Sequence, residues 1–156
     1  MPVAEALIAT AKPRLVAAVR RQATPSTIGT LIRTSGVWDL MKARGIKNTG
    51  HNVVIYRAEP GQALGSPGGL PVDIGAEVTE PFAGDAELQC VSTPAGRFIS
   101  VLHVGPIEGL GEAYDAIAGY CRVQGLKLAG PYWEYYGHWT DEPDKYETTV
   151  YWALAE

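Results

Sequence analysis

The chain has 156 residues, 46% of them hydrophobic, and a formal net charge of −4. That length suits one domain or two tightly packed halves, and the apolar fraction is too high for a disordered chain. The acidic balance, with no run of Lys and Arg, weighs against direct binding to nucleic acid, and no stretch reaches the roughly 18 apolar residues of a membrane span.

Residues 1–12 carry Glu5 inside their only apolar stretch and no basic segment ahead of it. They read as a tail, not as a secretion signal. A strand over 14–20 leads through the turn Thr24-Pro25-Ser26 into a helix from about 26 to 44. Ser26 serves as its N-cap, and Gly45 followed by Ile46 forms a left-handed stop. A strand over 51–57 follows, then a Gly/Pro-rich turn over 60–69 that reads as a flap. In the next strand, over 70–79, Val72, Ile74, Ala76 and Val78 alternate with Asp73, Gly75 and Glu77, which predicts one buried and one wetter face.

The second half carries the same signals. A strand over 98–104 enters a helix at Pro106, a favoured first-turn proline. Leu110, Tyr114, Ile117 and Cys121 recur at helical spacing as its core stripe, and Gly125-Leu126 ends it. Strands over 132–139 and 148–154 flank a polar loop over 140–145. Cys90 and Cys121 are isolated, without CxxC spacing, and read as two buried free thiols in a reducing cytoplasm, with a single disulfide as the alternative.

The two halves also resemble each other in letters. Residues 43–56 and 123–136 both read Gly, aliphatic, Lys, two residues, Gly, then a β-prone run ending in Tyr. An α+β fold follows: a duplicated β-α-β-β unit, with half-repeats at about 13–80 and 94–156. It would have pseudo-two-fold symmetry, antiparallel sheets, two long helices and a central ligand cleft.

Strand geometry puts Tyr132, Glu134, Tyr136 and His138 on one face, and Trp133, Tyr135 and Trp139 on the other, where Trp133 and Tyr135 are expected to pack under a helix. A carboxylate among aromatic rings needs a cation or hydrogen bonds. A ligand supplies them in one reading, and an internal arginine such as Arg97 in the other. The repeat sets Val54 and Tyr56 at the positions of Glu134 and Tyr136. Tyr114 lies on the helical stripe and Trp38 on the first helix, each serving the core or the cleft. His103, at a strand end, lines the groove or is structural. His51, His103 and His138 show no metal-binding spacing, and neither a phosphate loop nor a nucleophile elbow is present. No metal or cofactor is expected.

Val72-Asp73-Ile74-Gly75-Ala76-Glu77-Val78, Pro94-Ala95-Gly96-Arg97, His103-Val104-Gly105-Pro106, Tyr114 and Gly130-Pro131-Tyr132-Trp133-Glu134-Tyr135-Tyr136-Gly137 together resemble the GyrI-like small-molecule-binding family. That family includes the effector-binding domains of AraC-type and MerR-type regulators. The resemblance spans about 13–156 and implies a central pocket for lipophilic, often cationic, aromatic compounds. Its polar anchor would be the glutamate matching Glu134, with Tyr136, Tyr132, Tyr114, Trp38, Tyr56 and His103 as the surrounding candidates. Ile107 departs from the pattern, where the family usually has an aromatic residue. A helix-turn-helix does not fit ahead of Arg14, so a stand-alone copy is expected, acting on transcription only through a separate regulator. The resemblance also implies an alternative: a hydrolase that opens strained cyclopropane rings of DNA-alkylating compounds. Glu134 would be its catalytic base, and Tyr136 or Tyr114 would polarise the leaving oxygen. A further alternative is a protein partner of gyrase.

Overall fold

The computed structural model describes residues 6–47, 49–137 and 140–155. The strands are β1 (Leu7–Ala11), β2 (Leu15–Ala23), β3 (Thr49–Tyr56), β4 (Leu70–Val78), β5 (Gln89–Ser92), β6 (Gly96–Val104), β7 (Leu128–Tyr136) and β8 (Glu147–Leu154). They form one eight-stranded antiparallel sheet in the order β1-β6-β8-β7-β3-β4-β2-β5. Outward from the central β3/β7 pair the order is the same on both sides: inner strand, hairpin partner, first strand of the half, edge strand. At the centre Val54 pairs with Glu134, Tyr56 with Tyr132 and Asn52 with Tyr136.

The helices lie on one face. In the second half, α3 (Gly111–Gln124) follows a 3-10 turn at Ile107–Gly109 and buries Ala113, Ile117 and Cys121. Gly125, at φ 69°, stops it, and the amide of Leu126 closes back on the carbonyl of Cys121 at 2.9 Å. In the first half the expected continuous helix is two short ones, α1 (Ile28–Thr34) and α2 (Val37–Ala43). Gly36, at φ 70°, breaks the helix between them. The N-cap position of α1 is Thr27, not Ser26, and no side chain caps it. Poor helix formers (Gly29, Thr30, Thr34) leave α1 little intrinsic preference, and it buries no residue of its own. The stop is as expected: Gly45 has φ 67°, and the amide of Ile46 bonds the carbonyl of Met41 at 3.0 Å.

Residues 7–11, read as part of a tail, are instead an edge strand paired with β6. The opposite edge, β5, pairs with β2. Only residues 12–14 join β1 to β2, although these strands lie near opposite ends of the sheet order. Four peptide steps, from Ala11 to Leu15, span at most about 14 Å. The sheet therefore curls until its two ends approach each other on the face away from the helices.

That curl explains two departures from expectation. The second face of β4 is not wet: Asp73 is 0% exposed. Its Oδ1 accepts from Arg20 Nε at 2.7 Å, and its Oδ2 accepts from Arg20 Nη2 at 2.9 Å and from Arg57 Nε at 2.8 Å. Trp133 and Tyr135 pack under no helix; they belong to the back-face core with Val16, Ala18, Val53, Ile55 and Ala153. Asp73→Asn replaces a buried charge held by two guanidinium groups with an amide that fits only one of them. It is expected to lower the unfolding free energy by about 2 kcal/mol, measurable by urea denaturation.

Candidate functional site

On the helix face, the β3/β7 pair lies between the α1–α2 pair and α3 and forms the floor of a groove. Alternation along β7 turns Tyr132, Glu134 and Tyr136 into it. Glu134 is 4% exposed, yet no arginine or lysine ion-pairs it among the described residues. Three tyrosines hold it instead. Tyr56 donates to Oε1 at 3.0 Å, Tyr136 donates to the same oxygen, and Tyr114 of α3 makes a short bond to Oε2. A carboxylate has about four acceptor positions, so one remains on the Oε2 side.

Burial dominates the electrostatics. It pushes the Glu134 carboxyl above its ordinary value, and the hydrogen bonds from Tyr114, Tyr136 and Tyr56 offset only part of that. Burial, reinforced by the neighbouring carboxylate, also drives the hydroxyls of Tyr56, Tyr114 and Tyr136 well above the usual phenol range. These groups stay protonated and act as donors. Tyr136→Phe removes one donor and is expected to move the Glu134 titration to higher pH, readable from its carboxyl carbon resonance.

A cavity of about 450 Å³ opens beside Glu134, lined by Tyr56, Tyr114, Tyr132, Trp152, the α3 residues Asp115, Ile117 and Ala118, and the turn Ala63–Gly65. Cross-strand register builds its aromatic wall, since Tyr56, Tyr132 and Trp152 are successive partners on β3, β7 and β8. The Tyr56 and Tyr132 rings stack at 4.5 Å, those of Tyr132 and Trp152 at 4.2 Å, and Tyr114 stands edge-on to Tyr132 and Trp152. The Tyr132 hydroxyl donates nothing to Glu134. It accepts the Leu64 amide at 2.9 Å and pins the turn over 60–69 against the cavity. On the far side of the Tyr136–Glu134 bond lies a second hollow of about 370 Å³, bounded by Val54, Ile74, Trp38, Ile107 and Tyr146 among others.

The sequence pattern of the GyrI-like small molecule binding domain matches residues 7–155. The chain belongs to this family. No protein of curated function matches it by sequence. Among solved structures, this GyrI-like domain is similar to the C-terminal domain of EcmrR, with TM-score 0.78 and 16% identity over 99% of both chains. It also covers 58% of the EcmrR chain in a complex with DNA, at TM-score 0.77 and 16% identity. SAV2435, solved bound to tetraphenylphosphonium, superposes with TM-score 0.63 at 12% identity, over 97% of this chain and 94% of that one. A hydrolase from Listeria innocua encoded by lin2189 gives TM-score 0.60 at 13% identity, covering 99% and 93%.

Within this GyrI-like domain, five of the residues singled out from sequence come together: Glu134, Tyr136, Tyr132, Tyr114 and Tyr56. Trp38, 46% exposed, does not line the cavity beside Glu134; it borders the second hollow together with Tyr136. His103 lines neither cavity, and its Nε2 donates to the carbonyl of Pro106 at 2.9 Å, tying the end of β6 to the turn before α3. Arg97 sits on β6 opposite Thr10 and forms no ion pair with Glu134, so the internal-arginine reading does not hold. His138 and Trp139 lie outside the described residues. Sequence reasoning missed Trp152, whose place depends on the β7/β8 register and has no local signal. No helix among the described residues is long and apolar enough to cross a membrane, and no group of three metal-ligating side chains occurs among them.

Proposed function

We propose that this domain binds small lipophilic aromatic cations in the cavity beside Glu134, as a sensing or sequestering module. One observation carries the reading: a buried carboxylate, held by hydroxyls and ion-paired by no Arg or Lys among the described residues, opens onto a wall of stacked aromatic rings. Withdrawing a carboxylate from water costs several kcal/mol. Tyrosine donors offset part of this without neutralising the charge, so a cation arriving with its own aromatic surface gains both Coulomb attraction and ring-face contact. Tetraphenylphosphonium bound to the similar SAV2435 fold is of this class.

The hydrolytic alternative asks Tyr114 or Tyr136 to donate to a leaving oxygen while Glu134 takes a proton from water. Both hydroxyls are already committed to Glu134, so the resting geometry favours binding over turnover. Titration calorimetry with tetraphenylphosphonium and the neutral triphenylphosphine oxide separates the readings. The cation is expected to bind at least about tenfold more tightly, a difference of about 1.4 kcal/mol. Equal affinities would overturn the proposal, and turnover of an activated cyclopropane would favour the alternative.

A further inference from the structure

The opposite face of β7 carries a second concave site with the reverse electrostatic character. Trp133 and Tyr135 point away from the helices, towards Phe98 of β6 and Tyr151 of β8. The Trp133 and Tyr151 rings stack at 5.3 Å and 6°, Phe98 stands edge-on to both at 6.2 and 5.2 Å, and Tyr135 meets Tyr151 edge-on at 5.4 Å. These four rings floor a hollow of about 280 Å³. The link Lys12-Pro13-Arg14, which closes the curled sheet, forms its rim.

This rim is prepared rather than loose. β1 anchors one end of the link through its ladder to β6. At the other end the Arg14 amide donates to Thr93 Oγ1 at 2.9 Å, and the Thr93 amide returns to the Arg14 carbonyl at 2.9 Å. Pro13 fixes one backbone angle between the anchors.

Aromatic rings alone would suit a cation. Here the charged groups decide otherwise. The Arg14 guanidinium lies over the Tyr135 ring at 5.4 Å and is bonded at 3.1 Å to Glu77, which does not line the hollow. Lys12 is exposed on the rim and has no ion pair among the described residues. Among the described residues two cations thus stand at the mouth against one carboxylate behind it, so an incoming cation is repelled and an anion attracted.

We infer that this hollow, floored by Phe98, Trp133, Tyr135 and Tyr151 and rimmed by Lys12 and Arg14, is a second binding site, selective for small planar aromatic carboxylates. The ring system lies against the Trp133–Tyr151 pair, and the carboxylate meets the Lys12 ammonium at the mouth. This site is separate from the Glu134 cavity, and its existence does not depend on what that cavity binds.

The test uses the full chain and three probes of one shape: 1-naphthoate, 1-naphthalenemethanol and 1-naphthylmethylammonium. Naphthoate is expected to bind at least about tenfold more tightly than the alcohol, and the ammonium more weakly still. On titration with naphthoate the indole N–H resonance of Trp133 should move while that of Trp152, in the other cavity, stays in place. Lys12→Glu alters an exposed side chain without an ion pair, so the fold should persist, which circular dichroism checks. It should weaken naphthoate at least about tenfold and leave tetraphenylphosphonium affinity unchanged; Lys12→Gln should give an intermediate loss. Equal affinity for acid and alcohol, a response at Trp152 in place of Trp133, unchanged naphthoate affinity in Lys12→Glu, or no saturable naphthoate binding would each overturn the inference.

Discussion

Glu134→Gln is expected to reduce tetraphenylphosphonium affinity at least about tenfold while changing that of triphenylphosphine oxide by less than about threefold. Two unit charges about 5 Å apart at an effective dielectric near 20 attract by about 3 kcal/mol, and desolvation of the ligand returns part of that. Glutamine keeps the shape of the side chain. Its amide oxygen still accepts from tyrosine, and a phenol hydroxyl can turn to accept from the amide nitrogen, so the cavity walls stay in place. A neutral ligand of similar rings therefore reports the walls alone, and the cation reports the walls plus the charge. Equal losses for the two ligands would mean that the substitution had deformed the cavity.

The same variant has an opposite effect on stability, and the sign follows from linkage. Burial raises the folded-state pKa of Glu134 above its ordinary 4.5. Between the ordinary and the raised value the folded chain holds the proton more tightly than the unfolded chain does. Its stabilising contribution is complete below the unfolded pKa and is lost as pH rises through the folded pKa. Glutamine has no such loss. In urea denaturation across a pH series, the stability of Glu134→Gln relative to the native chain should rise through this window and then level off. Native affinity for tetraphenylphosphonium should climb over the same window as the carboxyl ionises, whereas the variant's should stay flat.

Much of the geometry of this candidate site is legible in the sequence. The alternation Tyr132, Glu134, Tyr136 is local, so the sequence alone indicates which side chains share a face. The helix stops at Gly45 and Gly125 are local as well, and both are as expected. What escaped depends on distant partners. The wet face expected for β4 is dry because the sheet curls and two arginines from other strands meet Asp73, a contact no alternation encodes. Trp133 and Tyr135 were expected beneath a helix because buried strand faces usually have one; here the sheet covers its own back. Arg97 was a plausible partner for Glu134 only while the order of β6, β8 and β7 was unknown. Hydroxyls from three different elements took that role, and only tertiary register could bring Tyr56, Tyr114 and Tyr136 to one carboxylate.

Gly130→Ala is expected to cost about 3 kcal/mol of stability, among the largest losses available from a single added methyl group. Gly130 sits in β7 where the pairing with β8 shifts register between Leu128 and Tyr132. A Cβ there would lie 2.0 Å from the carbonyl oxygen of Ala58 and 2.7 Å from the carbonyl carbons of Ala58 and Glu59. All three are backbone atoms, which cannot rotate aside as a side chain can. Gly50 of β3 is more forgiving, because a Cβ there meets the Glu77 side chain at 3.1–3.2 Å. The strain at Gly130 must be relieved by moving β7 itself, two residues before Tyr132 and four before Glu134. Tetraphenylphosphonium affinity should therefore fall together with the melting temperature. Gly119→Ala supplies the control: it lies in the body of α3, and its added Cβ would meet only the end of the Arg122 side chain, at 3.9 Å. That change should stabilise the chain by about 0.5–1 kcal/mol through helix propensity. Opposite shifts in melting temperature from the two glycine-to-alanine changes, with ligand affinity lost only in Gly130→Ala, would show that β7 holds the carboxylate in place by close backbone contact.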